Sequence, residues 1–125
     1  MENKKKILIV EDDMFIRDIY QVKFDQEGFD VVTVENGLMA LEKLKDFSPD
    51  AILLDVMMPY MNGMEALRAI KAQEALKNIP IMMLTNISEK ENIEEGQALG
   101  VNDYLIKSNF TPSEVVNRVK TLLKI

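Results

Sequence analysis

Short, unbroken apolar runs alternate along the chain with stretches in which apolar residues recur every three or four positions. Ile7–Val10, Ala51–Leu54 and Ile81–Leu84 are too short for helices and carry no polar alternation, the pattern of strands buried on both faces. Between them, Ile16, Ile19, Tyr20 and Phe24 mark one face of a helix that Gly28 is suited to end. Val115, Val119 and Leu122 form a similar stripe behind Thr111-Pro112-Ser113-Glu114, a capping box with proline at the first helical position. Asn62 followed by Glu65 signals another helix start. The pattern predicts β1 Lys5–Val10, α1 Met14–Glu27, β2 Asp30–Val34, α2 Gly37–Asp46 and β3 Ala51–Leu54. It continues with α3 Gly63–Ala75, β4 Ile81–Leu84, α4 Glu89–Leu99, β5 Asp103–Ile106 and α5 Pro112–Lys124. Helix α4 carries Gly96 and little apolar surface beyond Ile93, Ala98 and Leu99, so it is expected to dock loosely.

Five β-α units imply an α/β fold, a doubly wound parallel sheet in the order 2-1-3-4-5 with right-handed crossovers and helices on both faces. No linker or low-complexity segment divides the chain, so a single domain over 1–125 is expected. In that order β1 and β3 are neighbours, and ligands bind at the carboxyl ends of the strands. Those ends carry chemistry. β1 runs into Glu11-Asp12-Asp13, β3 into Asp55, β4 into Thr85 and β5 into Lys107.

Composition narrows the options. The chain has 125 residues, no cysteine, no histidine and a net charge of −6. Disulfides, thiolate nucleophiles and imidazole bases are excluded. The oxygen donors that remain suit Mg²⁺, with Mn²⁺ as a second candidate. The acidic balance opposes direct nucleic-acid binding. No run is long enough to cross a membrane, and Lys4-Lys5-Lys6 precede too few apolar residues for a signal peptide, so a cytoplasmic setting is expected.

Each strand-end residue also has an ordinary explanation. Acids at a helix start serve capping and the helix dipole. Asp55 could cap the following loop, Thr85 is common in strands, Lys107 could extend to water, and Tyr104 could be plain strand packing. The methionines at 57, 58, 61, 64, 82 and 83 are core filling before they are a thioether copper site. Together, however, four carboxylates beside one another favour a cation, and a carboxylate nucleophile, a hydroxyl and an amine make a phosphoryl-transfer site.

As a set, Ile-Leu-Ile-Val-Glu-Asp-Asp (7–13), Leu-Leu-Asp-Val-Met-Met-Pro (53–59) with Gly63, Leu-Thr (84–85) and Asp-Tyr-Leu-Ile-Lys (103–107) resemble the receiver domain of bacterial two-component response regulators. The resemblance spans essentially the whole chain and is nearest to stand-alone receivers similar to the chemotaxis regulator. It implies a phospho-acceptor switch that takes a phosphoryl group from a phosphohistidine on a sensor histidine kinase or His phosphotransfer protein. Asp55 matches the acceptor, Glu11 and Asp12 the acidic metal pair, and Met57 the position offering a backbone carbonyl to Mg²⁺. Thr85, Asn86 and Lys107 match the phosphate contacts, and Tyr104 matches the aromatic that turns inward on activation. A downstream protein would read the α4-β5-α5 face.

The chain also departs from that family. Ser108 stands where proline is usual after the lysine, and a cis bond is much rarer without proline. Asn86 replaces a small residue. Met57 and Ile87 are apolar where polar groups are frequent, which predicts a poorly placed attacking water and a long-lived acyl phosphate. A relay intermediate passing the group onward is an alternative. A phosphatase-type enzyme is another, but it wants a general acid at the position of Met57. A flavin domain wants a phosphate loop where this chain has three acids. Phe15, Asp18 and Val22 lie off the core stripe of α1, either as a partner-docking face or packed under a loop.

Overall fold

The computed structural model describes residues 4–58, 60–85 and 90–125, with the side chains of 90–92 excepted. The elements are β1 Lys6–Val10, α1 Met14–Gln26, β2 Asp30–Val34, α2 Gly37–Lys43, β3 Ala51–Asp55, α3 Gly63–Lys71, β4 Ile81–Thr85, α4 Lys90–Ala98, β5 Asp103–Ile106 and α5 Pro112–Leu123. A single 3-10 turn, Lys107–Asn109, joins β5 to α5. The strands form one sheet in the order β2-β1-β3-β4-β5, and every neighbouring pair is parallel. The expected topology is therefore observed.

Why the strand runs lack polar alternation is visible in the packing. Successive side chains of a strand point to opposite faces. Leu8, Val10, Ile52, Leu54, Ile81 and Met83 enter a core shared with Ala40 and Leu44 of the α2 region and Ala66, Leu67 and Ile70 of α3. Ile7, Ile9, Ala51, Leu53, Met82 and Leu84 enter a second core with Tyr20 and Phe24 of α1 and Val115, Val116 and Val119 of α5. Each of the three runs thus alternates between two apolar layers, so both sets of positions must be apolar. Burying each large aliphatic side chain contributes roughly 1.5–3 kcal/mol, which outweighs any local preference for other structure.

The helix starts follow the expected signals. Asn62 and Glu65 form a capping box at α3, and Thr111 and Glu114 form one at α5 with Pro112 in the first turn. Gly28 adopts φ +89 just past α1, a left-handed conformation that favours glycine, and lets the Phe29 N–H reach the Phe24 carbonyl.

Several boundaries differ. α2 ends at Lys43 and α3 at Lys71, short of the expected Asp46 and Ala75. Neither has glycine or proline at its end; both tighten into i→i−3 bonds, such as Asp46 N–H to Lys43 and Gln73 N–H to Ile70. Ile19, expected in the core, is exposed, because Tyr20 and Phe24 fill the layer beneath α1. In α5, Val116 joins the buried stripe and Leu122 is only half-buried. In α4, Gly96 is buried while Ala98 is exposed. A Cβ on Gly96 would lie 3.3 Å from Val101 and 3.6 Å from the Tyr104 ring. An Arg68–Glu95 ion pair ties α4 to α3. The expected start of α4 at Glu89 lies outside the described residues.

Candidate functional site

The β1–β3 adjacency brings the two acidic strand ends together. Residues 7–10 of β1 pair in register with 51–54 of β3, so Glu11 and Asp55 leave the sheet side by side. One carboxylate oxygen from each of Glu11, Asp12 and Asp55 lies within 4.8 Å of the others. Glu11 and Asp55 are buried, whereas Asp12 is exposed at the mouth. The neighbouring Asp13 has a separate task. Its side chain accepts from the N–H groups of Phe15 and Ile16 and caps α1. The ordinary capping explanation thus holds for one acid of the run and leaves the others for the pocket.

Lys107 crosses the sheet to reach them. It follows β5, two strand spacings from β3, or about 10 Å. Its Nζ donates to Glu11 Oε2 at 2.7 Å and lies 3.3 Å from Asp55 Oδ2. The amine is buried rather than extended to water. The Lys107–Ser108 bond is trans, as are all described peptide bonds.

The electrostatics follow from this crowding. Burial and the neighbouring Glu11 raise the Asp55 carboxyl to about 7, against the lowering pull of Lys107. Burial alone would lower the Lys107 amine, but its hydrogen bond to Glu11 and the charges of Asp55 and Glu11 outweigh that and raise it. One ammonium faces three carboxylates. An added divalent cation would relieve that excess of negative charge, and hard oxygen donors suit Mg²⁺.

The surrounding chain holds the acceptor by close approach. A Cβ on Gly63 would lie 2.1 Å from the Asp55 carbonyl oxygen and 2.7 Å from Val56 Cα. Only glycine permits α3 to begin there, and the Gly63 N–H donates to the Val56 carbonyl at 2.8 Å. The Met57 N–H makes a long contact of 3.4 Å with Asp55 Oδ1, while the Met57 side chain is exposed. Thr85 is buried at the end of β4, one residue beyond Leu84, which pairs with Asp55. Tyr104 is half-buried and packs on the α2/α3 core. Asn86 and Ile87 lie outside the described residues.

Two residues were not anticipated from the sequence. Arg17 donates from Nη1 to the Glu11 carbonyl at 3.0 Å and fixes the acidic loop from below. Its position one turn after the acids was the available signal. Tyr20 is buried and lines a cavity of about 260 Å³ with Lys107 and Ser108. Burial raises its phenol, with Lys107 acting in the opposite direction. Phe15, Asp18 and Val22 are exposed, and Asp18 and Val22 border an open groove with Ile19 and Pro112.

A doubly wound sheet with a carboxylate cluster and a lysine at its carboxyl edge defines a phosphoryl-acceptor type of domain. The model of the response regulator receiver domain matches residues 7–120. The alkaline phosphatase synthesis transcriptional regulatory protein PhoP of Bacillus subtilis is 39% identical over 96% of this chain and 49% of its own length. The chain spans about half the length of the curated relatives it matches. Among solved structures, the Vibrio cholerae chemotaxis response regulator CheY4 superposes with TM-score 0.87 at 33% identity, covering 95% of this chain and 98% of that one. The receiver domain of a Pseudomonas aeruginosa sensor histidine kinase, which has a magnesium ion coordinated in its active-site cleft, superposes with TM-score 0.87 at 29% identity. It covers 98% of this chain and 100% of its own. The chain belongs to the response regulator receiver family, and as such it is a phospho-acceptor signalling switch. No described helix is long and apolar enough to cross a membrane.

Proposed function

We propose that Asp55 is the phospho-acceptor of this switch, taking a phosphoryl group from a phosphohistidine on a sensor histidine kinase or His phosphotransfer protein. The observation that carries this reading is the Lys107 amine held between Glu11 and Asp55 in a pocket where three carboxylates converge. An Asp55 oxygen forms the new bond to phosphorus while the phosphorus–nitrogen bond breaks and its electron pair returns to the imidazole. Lys107, already against Asp55, shifts its hydrogen bonds to the incoming phosphoryl oxygens, and Thr85 supplies a hydroxyl from the adjacent strand end. Glu11, Asp12, Asp55 and the Met57 carbonyl would hold Mg²⁺, with Mn²⁺ as a substitute. When bound, the ion supplies positive charge that offsets repulsion between acceptor and phosphoryl group.

The output we propose is a population shift of the α4-β5-α5 face, read by a downstream protein. β5 supports it, because Lys107 at its end touches the acceptor while Tyr104, three residues earlier, packs beside Gly96 of α4. The domain acts in the cytoplasm as one receiver unit, as an acceptor rather than as an enzyme turning over small substrates. Incubation with acetyl phosphate and intact-mass analysis tests the acceptor. A single base-labile phosphoryl adduct should form with Mg²⁺, fail to form in chelator and disappear in Asp55→Asn. An adduct that persists in Asp55→Asn would refute the assignment.

A further inference from the structure

The sulfur chemistry of the chain is unusual in its placement. Nine methionines and no cysteine make thioethers the only sulfur available to an oxidant. Met64, Met82 and Met83 are buried, and Met58 and Met61 are partly buried against the core. Among the described methionines, Met14, Met39 and Met57 are exposed. Met39 belongs to α2, and Met14 opens α1 just beyond the Asp13 cap. Met57 differs in touching the acceptor through its backbone: its N–H lies 3.4 Å from Asp55 Oδ1, while the residue is 55% exposed. That contact fixes the Met57 backbone at the pocket, and the exposed side chain leaves from there.

We propose that Met57 is an oxidation site, and that its sulfoxide shortens the lifetime of the phosphoryl group on Asp55. The proposal rests on Asp55 being the acceptor. A hydroperoxide is the oxidant. Its O–O bond breaks, one oxygen joins the sulfur, the sulfur gives up two electrons, and the other oxygen leaves as water or alcohol. The product replaces an apolar side chain by one carrying a strong hydrogen-bond acceptor. Loss of the phosphoryl group needs a water that attacks phosphorus as the bond to the Asp55 oxygen breaks, giving inorganic phosphate and the free carboxylate. A thioether barely orients that water. A sulfoxide oxygen accepts a hydrogen bond from it and holds it at the pocket mouth. One such bond corresponds to an acceleration of about 2–10-fold.

The test uses the whole chain. Protein phosphorylated with acetyl phosphate and Mg²⁺ is freed of donor, and the decay of the adduct is followed by intact mass with and without prior hydrogen peroxide. Peptide mapping locates the added oxygen. Decay should quicken after oxidation, return to its original rate after methionine sulfoxide reductase, and stay peroxide-sensitive in Met14→Leu/Met39→Leu. In Met57→Leu, peroxide should leave that variant's own decay rate unaltered. Equal decay rates with Met57 fully oxidised would overturn the proposal, as would undiminished peroxide sensitivity in Met57→Leu. If no adduct forms before oxidation, the failure belongs to the acceptor assignment and removes the proposal with it.

Discussion

At the scale of single residues, the site places two buried acids against one amine. Asp55 sits in a sheet end that removes it from water, with Glu11 nearby and Lys107 in compensation. The resulting rise to about 7 has a defined consequence for stability. A carboxyl whose folded value exceeds its ordinary one favours the fold in its protonated form. Its unfolded counterpart ionises first, near the ordinary carboxylate value, so stability falls as pH rises from about 4 to about 7 and then levels. Asp55→Asn removes that titration. In chelator, the variant should match wild type near pH 4 and exceed it above pH 7. The gap between the two carboxyl values already contains the pull of Lys107, so the expected gain is on the order of 4 kcal/mol at most. Urea melts across this pH range check it. A variant less stable than wild type at pH 8 would show that Lys107 outweighs burial.

At the scale of elements, the acceptor is positioned by the start of α3 as much as by β3. The virtual Cβ of Gly63 collides with backbone atoms, which cannot rotate away as a side chain can. Gly63→Ala should therefore move the first turn of α3 and the Asp55–Val56 segment together. A loss of about 1–3 kcal/mol is expected from the overpacking, with slower adduct formation from displacement of the nucleophile. Denaturant melts and acetyl phosphate labelling measure the two effects, and normal values for both would contradict the close approach. Element identity was legible because each apolar run had to serve two cores, and because Asn62, Thr111 and Pro112 mark helix starts chemically. Helix ends were less legible. Nothing in the residues after Lys43 or Lys71 forces a stop, and the chain tightens there by backbone hydrogen bonding. The exposure of Ile19 was hidden for a different reason. Helical periodicity gives the direction of a face but not its width, and Tyr20 with Phe24 left no room beneath it.

At the scale of the whole molecule, the fold acts as a charge concentrator. The strand order carries Glu11, Asp12 and Asp55, drawn from segments some forty residues apart, to one edge of an already acidic chain. That convergence could be read from the sequence because a parallel sheet has one carboxyl edge. The supports could not, since Arg17 and Tyr20 act through contacts that strand order does not specify. A cation that binds the native pocket and not the unfolded chain must stabilise the fold by mass action. At ten times its dissociation constant, Mg²⁺ should add about 1.4 kcal/mol. For a domain of this size that is a rise of roughly 5 °C in Tm. Asp12→Asn keeps the buried Glu11–Lys107–Asp55 contacts but removes the exposed donor, so its Mg²⁺-induced rise should largely vanish while its Tm in chelator changes little. Scanning calorimetry at constant ionic strength separates this from general screening. An equal rise in wild type and Asp12→Asn would mean that the ion acts elsewhere on the acidic surface, and the three-carboxylate pocket would lose its assigned role.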